Sequence, residues 1–401
     1  MSTDSFLPYC RHVVEDDDIA AVTAVLKSDA LTQGPAVAKF EADLAKVTGA
    51  KYAVACSSGT AALHLAALAL DLKPGDTVLV PAQTFAATAN CIRYVGAEVV
   101  FTDVCPQTGL MRAEDLEAAI RANRGSRFRA VFPVHVNGQA ADMQGITELA
   151  KRANLSVVED ACHALGTVTN DDGPVGNCRR SQMSVFSFHP AKTIAMGEGG
   201  AITTNDPALA NKLNRFRTHG ITRNPSEFVA RAEAFDAHGQ PNPWYYEMQD
   251  LGFNYRACDM QAALGSSQLA KLPRFAATRR KIVAAYEAAL APLAPHVCPV
   301  ERRSGQFAVW HLAAVLIDFA GLKKDRAIAM RQLRELGIGT QVNYIPVHWQ
   351  PYYTSLSGGH PPSLPGAESY YHRCLSLPLS AAMDEADVTR VVNALKTVLG
   401  L

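Results

Sequence analysis

From about residue 50 to residue 205, short apolar runs alternate with stretches in which apolar residues recur every three or four positions. Short apolar runs bounded by turn residues mark strands, and recurrence at three to four marks helices that pack through one face. The pattern predicts strands over 52–55, 77–80, 98–101, 130–134, 156–159, 184–188 and 201–204, with helices over 59–70, 84–95 and 142–153 among them. Strands and helices in this rhythm build crossover units around a largely parallel sheet. The expectation is an α/β fold in which a ligand binds beyond the C-terminal ends of the strands.

After residue 205 the pattern changes. Residues 224–243 are polar and carry Pro and Gly, which reads as a long surface loop or an insertion. Helical periodicity returns over 259–290. A strand over 309–317, a helix over 324–336, a strand over 340–345 and a final helix over 385–398 follow. This predicts an N-terminal arm and large domain over 1–260, then a linking helix and smaller C-terminal α/β domain over 261–401. No internal repeat or low-complexity tract is visible.

Composition narrows the function classes. The 401 residues are enough for two cores, and hydrophobic residues make up 48% of the chain. Lys and Arg number 38 against 38 Asp and Glu, so no broad field draws the chain to nucleic acid or to an anionic membrane. An anionic ligand therefore has to be held by a local site. No apolar run reaches the roughly 18 to 20 residues of a membrane span, and the first residues lack a basic region followed by an apolar one, so the expected location is the cytoplasm. Nine cysteines without a Cys-x-x-Cys pair indicate neither a disulfide framework nor a metal site.

The chemistry concentrates at three strand ends. Lys192 stands alone in an apolar stretch, Phe186-Ser-Phe-His-Pro-Ala-Lys192, that runs into the glycine-rich Gly197-Glu-Gly-Gly200. A lysine desolvated there can condense with an aldehyde. Asp160 follows the apolar run Val157-Val-Glu and is placed to hold a pyridine nitrogen protonated, although capping of the next helix is the plainer alternative. His163, three residues on, is a candidate contact to the ring oxygen or face of a cofactor, or a core histidine. Gly59 and Thr60 open a helix whose N-terminal amides and dipole favour a phosphate, and Ser187 can add a hydroxyl. Phe85 is a candidate to stack on a ring, or plain core. An amine, a carboxylate and phosphate donors together point to pyridoxal 5'-phosphate.

The segments Leu31-Thr-Gln-Gly-Pro35, Ser57-Ser-Gly-Thr-Ala-Ala-Leu-His64, Glu159-Asp-Ala-Cys-His163, Ser187-Phe-His-Pro-Ala-Lys192 and Gly197-Glu-Gly-Gly200 resemble those of DegT/DnrJ/StrS-type nucleotide-sugar aminotransferases. The resemblance runs through almost the whole chain. It implies an aspartate aminotransferase-like fold of the fold type I class, the roles just given to Lys192, Asp160, Ser187, Thr60 and Phe85, and a homodimer with sites at the subunit interface. It also implies that Asn254, in Gly252-Phe-Asn-Tyr-Arg256, reaches the cofactor phosphate of the neighbouring subunit.

Within the family, the stretch from Trp244 to Arg256, the stretch from Tyr344 to Tyr353, and Ala367-Glu-Ser-Tyr-Tyr371 resemble the branch acting in pseudaminic acid biosynthesis. That resemblance implies L-glutamate as donor and a UDP-linked 4-keto-6-deoxy-N-acetylhexosamine as acceptor, giving UDP-4-amino-4,6-dideoxy-N-acetyl-β-L-altrosamine. Tyr9, Arg11, His189, His348 and Tyr352 are the candidate contacts to sugar or diphosphate. Two positions depart from the pattern: Asn343 stands where a histidine is expected, and Cys162 where alanine is more usual. Alternative readings are an aminotransferase acting on another nucleotide-linked keto sugar, and a catalytically silent regulator that binds the cofactor. A sugar dehydratase on the same fold is disfavoured, because such members have histidine where this chain has Lys192.

Overall fold

The computed structural model describes residues 6–401. Its centre is a seven-stranded sheet made of β1 (Tyr52–Cys56), β2 (Thr77–Pro81), β3 (Glu98–Thr102), β4 (Phe128–Val131), β5 (Ser156–Asp160), β6 (Met183–Ser187) and β7 (Gly200–Thr204). The order across the sheet is β1-β7-β6-β5-β4-β2-β3. β7 runs antiparallel to both of its neighbours, and the other pairings are parallel. The expected largely parallel sheet is therefore present with one reversed strand.

Side chains alternate across this sheet and sort its two faces. Val78, Val80, Ala130, Phe132, Val158 and Val185 pack in one cluster with α3 (Gly59–Ala69) and α4 (Ala86–Tyr94). Leu79, Val131 and Val157 face the other way, towards α5 (Ala113–Ala122) and α6 (Met143–Arg152). Two further helices, α1 (Asp16–Leu26) and α2 (Pro35–Thr48), precede the sheet, and α7 (Pro207–Arg217) follows it.

Two helices, α8 (Asp259–Ala270) and α9 (Leu272–Leu290), lead from the large sheet to a second core. There, β8 (Val297–Pro299), β9 (Ala313–Ile317) and β10 (Cys374–Leu377) form an antiparallel sheet in the order β8-β9-β10. It packs with α9, α10 (Arg326–Glu335), α12 (Pro365–Arg373) and α13 (Glu385–Leu399), while α11 (Pro351–Leu356) lies against the large body through Tyr353. The predicted loop at 224–243 is irregular apart from short turns of helix at Pro225–Glu227 and Arg231–Ala234.

Two predicted strands differ. The strand expected over 309–317 begins only at Ala313, because the Val309 amide is taken by Thr167 Oγ1 and the His311 amide by the Asn137 carbonyl. The strand expected over 340–345 is not formed. Gln341 makes a single bridge to Ser376, and the Asn343 carbonyl accepts from Gln83 Nε2 at 2.9 Å instead of from a neighbouring strand. This segment lines a cavity.

Candidate active site

Strand alternation delivers the key groups to one place. Asp160 is two residues beyond Val158 and Ser187 two beyond Val185, so both emerge on the face covered by α3 and α4. β5 and β6 are parallel neighbours with Asp160 opposite Val185, which sets both side chains at the same edge of the sheet. A cavity of about 660 Å³ opens there, lined among others by Asp160, Ser187 and Lys192.

One wall is the start of α3. Ser58 caps it, its hydroxyl accepting from the Ala61 amide at 3.1 Å, and the first-turn amides of Gly59 and Thr60 border the cavity. Gly59 is required by proximity: a Cβ there would lie 2.7 Å from Ser187 Cβ. The result is an N-terminal helix turn and a serine hydroxyl pressed together, a geometry suited to a phosphate.

Asp160 is 5% exposed and firmly placed. Thr88 Oγ1 donates to its Oδ2 at 2.7 Å and the Cys162 amide to its Oδ1 at 3.1 Å. Thr88 is in turn 2.8 Å from Thr84. These two bonds fix the orientation of the Asp160 carboxyl, which borders the cavity as a hydrogen-bond acceptor.

Lys192 sits in a loop closed by backbone bonds from its own amide to His189 O and from the Met196 amide to Phe188 O. It is half-buried, with its open side on the cavity. Burial lowers its pKa from the usual lysine value, and the charges of Cys162, Asp160 and Cys10 oppose that shift. A lysine with a weakened hold on its proton is the condition for a nucleophilic amine.

His163 also borders the cavity, with Nε2 3.0 Å from Tyr344 Oη. Burial, followed by the nearby Lys192 charge, holds it well below the ordinary histidine pKa, so the ring is neutral. Phe85 is 58% exposed and lies over the opening, its ring centroid 5.8 Å from that of Tyr344. Tyr9 and His189 line the cavity as well, and burial raises the Tyr9 pKa. His189 Nδ1 accepts from the Ala191 amide at 3.1 Å, which leaves its Nε2 to carry the proton when the ring is neutral.

Four of the candidates lie elsewhere. Arg11 is exposed and borders a separate small cavity on another side of Lys192. His348 is 1% exposed, with its ring against Phe101 and Trp349. The hydroxyl of Tyr352 receives a hydrogen bond from Arg93 Nε at 3.4 Å on the outside of the molecule. Asn254 is exposed and bridges Thr218, although the adjacent Tyr255 carbonyl accepts from the Ser57 amide at the α3 turn. The sequence reading missed Thr88, His311 and Tyr344. Only the Thr84/Thr88 spacing, one helical turn, offered a local signal.

A seven-stranded, mostly parallel sheet with lysine, aspartate and a phosphate-type cradle at its edge is an arrangement suited to a pyridoxal phosphate enzyme of fold type I. The sequence profile of the DegT/DnrJ/EryC1/StrS aminotransferase family matches residues 13–396, and the chain belongs to that family. It is 36% identical over 397 residues to the spore coat polysaccharide biosynthesis protein SpsC of Bacillus subtilis, covering 98% of this chain and 97% of that one. Among solved structures, PseC of Helicobacter pylori, an aminotransferase involved in the biosynthesis of pseudoaminic acid, superposes with a TM-score of 0.87 at 28% identity, covering 99% of this chain and 100% of that one. The PLP form of Spr1654 from Streptococcus pneumoniae gives 0.85 at 25% identity, covering 98% of this chain and 99% of that one. The chain is a PLP-dependent sugar aminotransferase, and the cradle, carboxylate and lysine fit that cofactor.

Proposed function

We propose that the protein transfers the amino group of L-glutamate to C4 of a UDP-linked 4-keto-6-deoxy-N-acetylhexosamine, giving UDP-4-amino-4,6-dideoxy-N-acetyl-β-L-altrosamine for pseudaminic acid biosynthesis. The observation that carries the reading is Lys192, with its proton affinity lowered by burial, in one cavity with Asp160. The overall likeness to PseC and the segments ending at Tyr353 and Tyr371 support the choice of sugar.

Pyridoxal phosphate supplies an electron sink when bound. In this reading Gly59, Thr60 and Ser187 would hold its phosphate, Phe85 and His163 would border its ring, and Asp160 would be the acidic partner of its ring nitrogen. Lys192 would hold it and would move the proton at the reacting carbon in both halves of the reaction. Tyr9 and His189 face the sugar. Arg11, His348 and Tyr352 stand outside the cavity and would act on sugar or diphosphate only after rearrangement. We place the reaction in the cytoplasm. No helix among the described residues is long and apolar enough to cross a membrane.

The working unit is a homodimer in which Asn254 serves the neighbouring phosphate site. Its support is the exposed apolar surface close to Asn254 in sequence: Trp244 is 71% and Leu251 80% exposed. We place the division of the lobes at residues 260 and 261, in the first turn of α8.

A second acceptor is favoured by two observations. The identity to SpsC exceeds that to PseC, and Asn343 in the cavity wall replaces the expected histidine. Incubation with L-glutamate and a panel of UDP-4-keto sugars, with products read by mass spectrometry and NMR, tests the choice. A 4-amino altrosamine product supports the first reading. Exclusive turnover of a different nucleotide sugar establishes the second.

A further inference from the structure

One histidine of the cavity has no part in the roles assigned so far. His311 is 4% exposed, lines the cavity, and sits with its ring centroid 4.2 Å from that of His163, the planes tilted by 47°. It belongs to neither sheet. It is carried by the irregular run 309–311 just before β9, and that run is fixed at each residue. Thr167 Oγ1 accepts from the Val309 amide at 2.8 Å, and the Asn137 carbonyl from the His311 amide at 2.9 Å. Gly138 presses so close that a Cβ there would lie 2.2 Å from the Val309 carbonyl oxygen, and its φ of 101° excludes most other residues.

Arg279 on α9 supplies the backing. It is 2% exposed, and its Nη1 donates to the carbonyls of Trp310 at 3.3 Å and His311 at 3.4 Å. Its partners here are neutral carbonyls, and burial draws its pKa down to about 10. Burying a guanidinium on neutral carbonyls carries a desolvation cost. The two bonds tie the backbone of Trp310 and His311 to α9.

We propose that His311, held from behind by Arg279, is a positioning residue that fixes the ring of His163 in the amino-transfer site. Among the described residues, His163 has a single side-chain hydrogen bond, to Tyr344, and its Nδ1 is buried without a partner. One bond leaves a ring free to pivot, and the His311 face is the contact that prevents it. Removing that face opens Nδ1 to water from the cavity. The inference rests on the reading of Lys192 and His163 as parts of the cofactor site.

The test compares His311→Ala and His311→Phe in the holoenzyme. His311→Ala is expected to slow the single-turnover reaction with L-glutamate by about tenfold or more, the scale of a misplaced site group. It is also expected to move the ring nitrogen NMR signals of His163 from one fixed neutral form to a mixture. His311→Phe, which keeps a flat ring against His163, should restore most of both. Should alanine fail to fold, His311→Asn removes the ring face at smaller loss of volume and is read in the same way. Wild-type rate and wild-type His163 signals in the ring-deleted variant overturn the proposal. A wild-type protein that takes no amino group from L-glutamate overturns instead the reading of the site on which it rests.

Discussion

Lys192 and Asp160 illustrate how single residues acquire their chemistry from surroundings a few ångströms away. Lys192→Ala should keep the fold and lose multiple turnover with L-glutamate and acceptor, and normal turnover in that variant would remove the central assignment. A stability effect accompanies this one. Burial lowers the folded-state pKa below the ordinary value near 10.5, so between the two values the unfolded chain binds more protons. Stability of the cofactor-free protein therefore rises with pH through that window and is reduced below it. Lys192→Met should flatten that rise in chemical denaturation measured across pH, and an unchanged slope would contradict the depressed value. Asp160→Asn should weaken cofactor retention and slow the glutamate reaction far more than Asp160→Glu, since removing one partner of a buried charge pair costs about 3 to 5 kcal/mol. Equal cofactor affinity and rate in wild type and Asn variant would place Asp160 outside the site. That Lys192 and Asp160 meet at one cavity was legible because each follows an apolar strand and ligands collect at strand ends. Thr88, Tyr344 and His311 were not, because their roles arise from contacts between residues 72 to 181 positions apart. The position of His348 was not legible for the same reason: its motif is near the cavity in sequence, while its ring packs inward on Phe101.

At the scale of elements, the alternation of apolar side chains along β5 and β6 aims Asp160 and Ser187 at α3 and α4. That alternation was readable in the chain, as were the strands of the large sheet. The reversal of β7 was not, since direction depends on which neighbours a strand finds and not on its own pattern. Helices α1, α2, α5, α7, α11 and α12 also escaped, since the neighbours a helix packs on decide it more than propensity does. The segment 340–345 carries a strand-like apolar pattern and remains irregular, its groups claimed by Gln83 and by the bridge to Ser376. The sharpest element-level prediction concerns the start of α3. Gly59→Ala puts a methyl 2.7 Å from Ser187 Cβ, closer than real contacts allow, so the cradle has to widen. Cofactor dissociation should become at least about tenfold easier, a loss of about 1.4 kcal/mol. Equilibrium dialysis giving the wild-type dissociation constant would show that the two elements are not the phosphate cradle.

The whole molecule raises a question that no single chain answers, because Asn254 is exposed while the other proposed cofactor contacts gather in one cavity. A surface asparagine beside the α3 turn has a use if a second chain brings its own cavity to it. The exposed Trp244 and Leu251 give that second chain an apolar surface to cover, and the balanced net charge presents no overall repulsion between copies. If this assembly is right, every site combines Lys192 of one protomer with Asn254 of the other. Co-expression of Lys192→Ala with a severely impaired Asn254→Ala then becomes diagnostic. Heterodimers would hold one site carrying both lesions and one carrying neither, so part of the activity should return, up to about half per heterodimer when sites act independently. Tagging the two variants differently isolates the heterodimer, and sedimentation confirms its composition. Absence of recovery in verified, folded heterodimers would mean that each site is completed within its own chain and that the exposed apolar surface near Asn254 serves another contact.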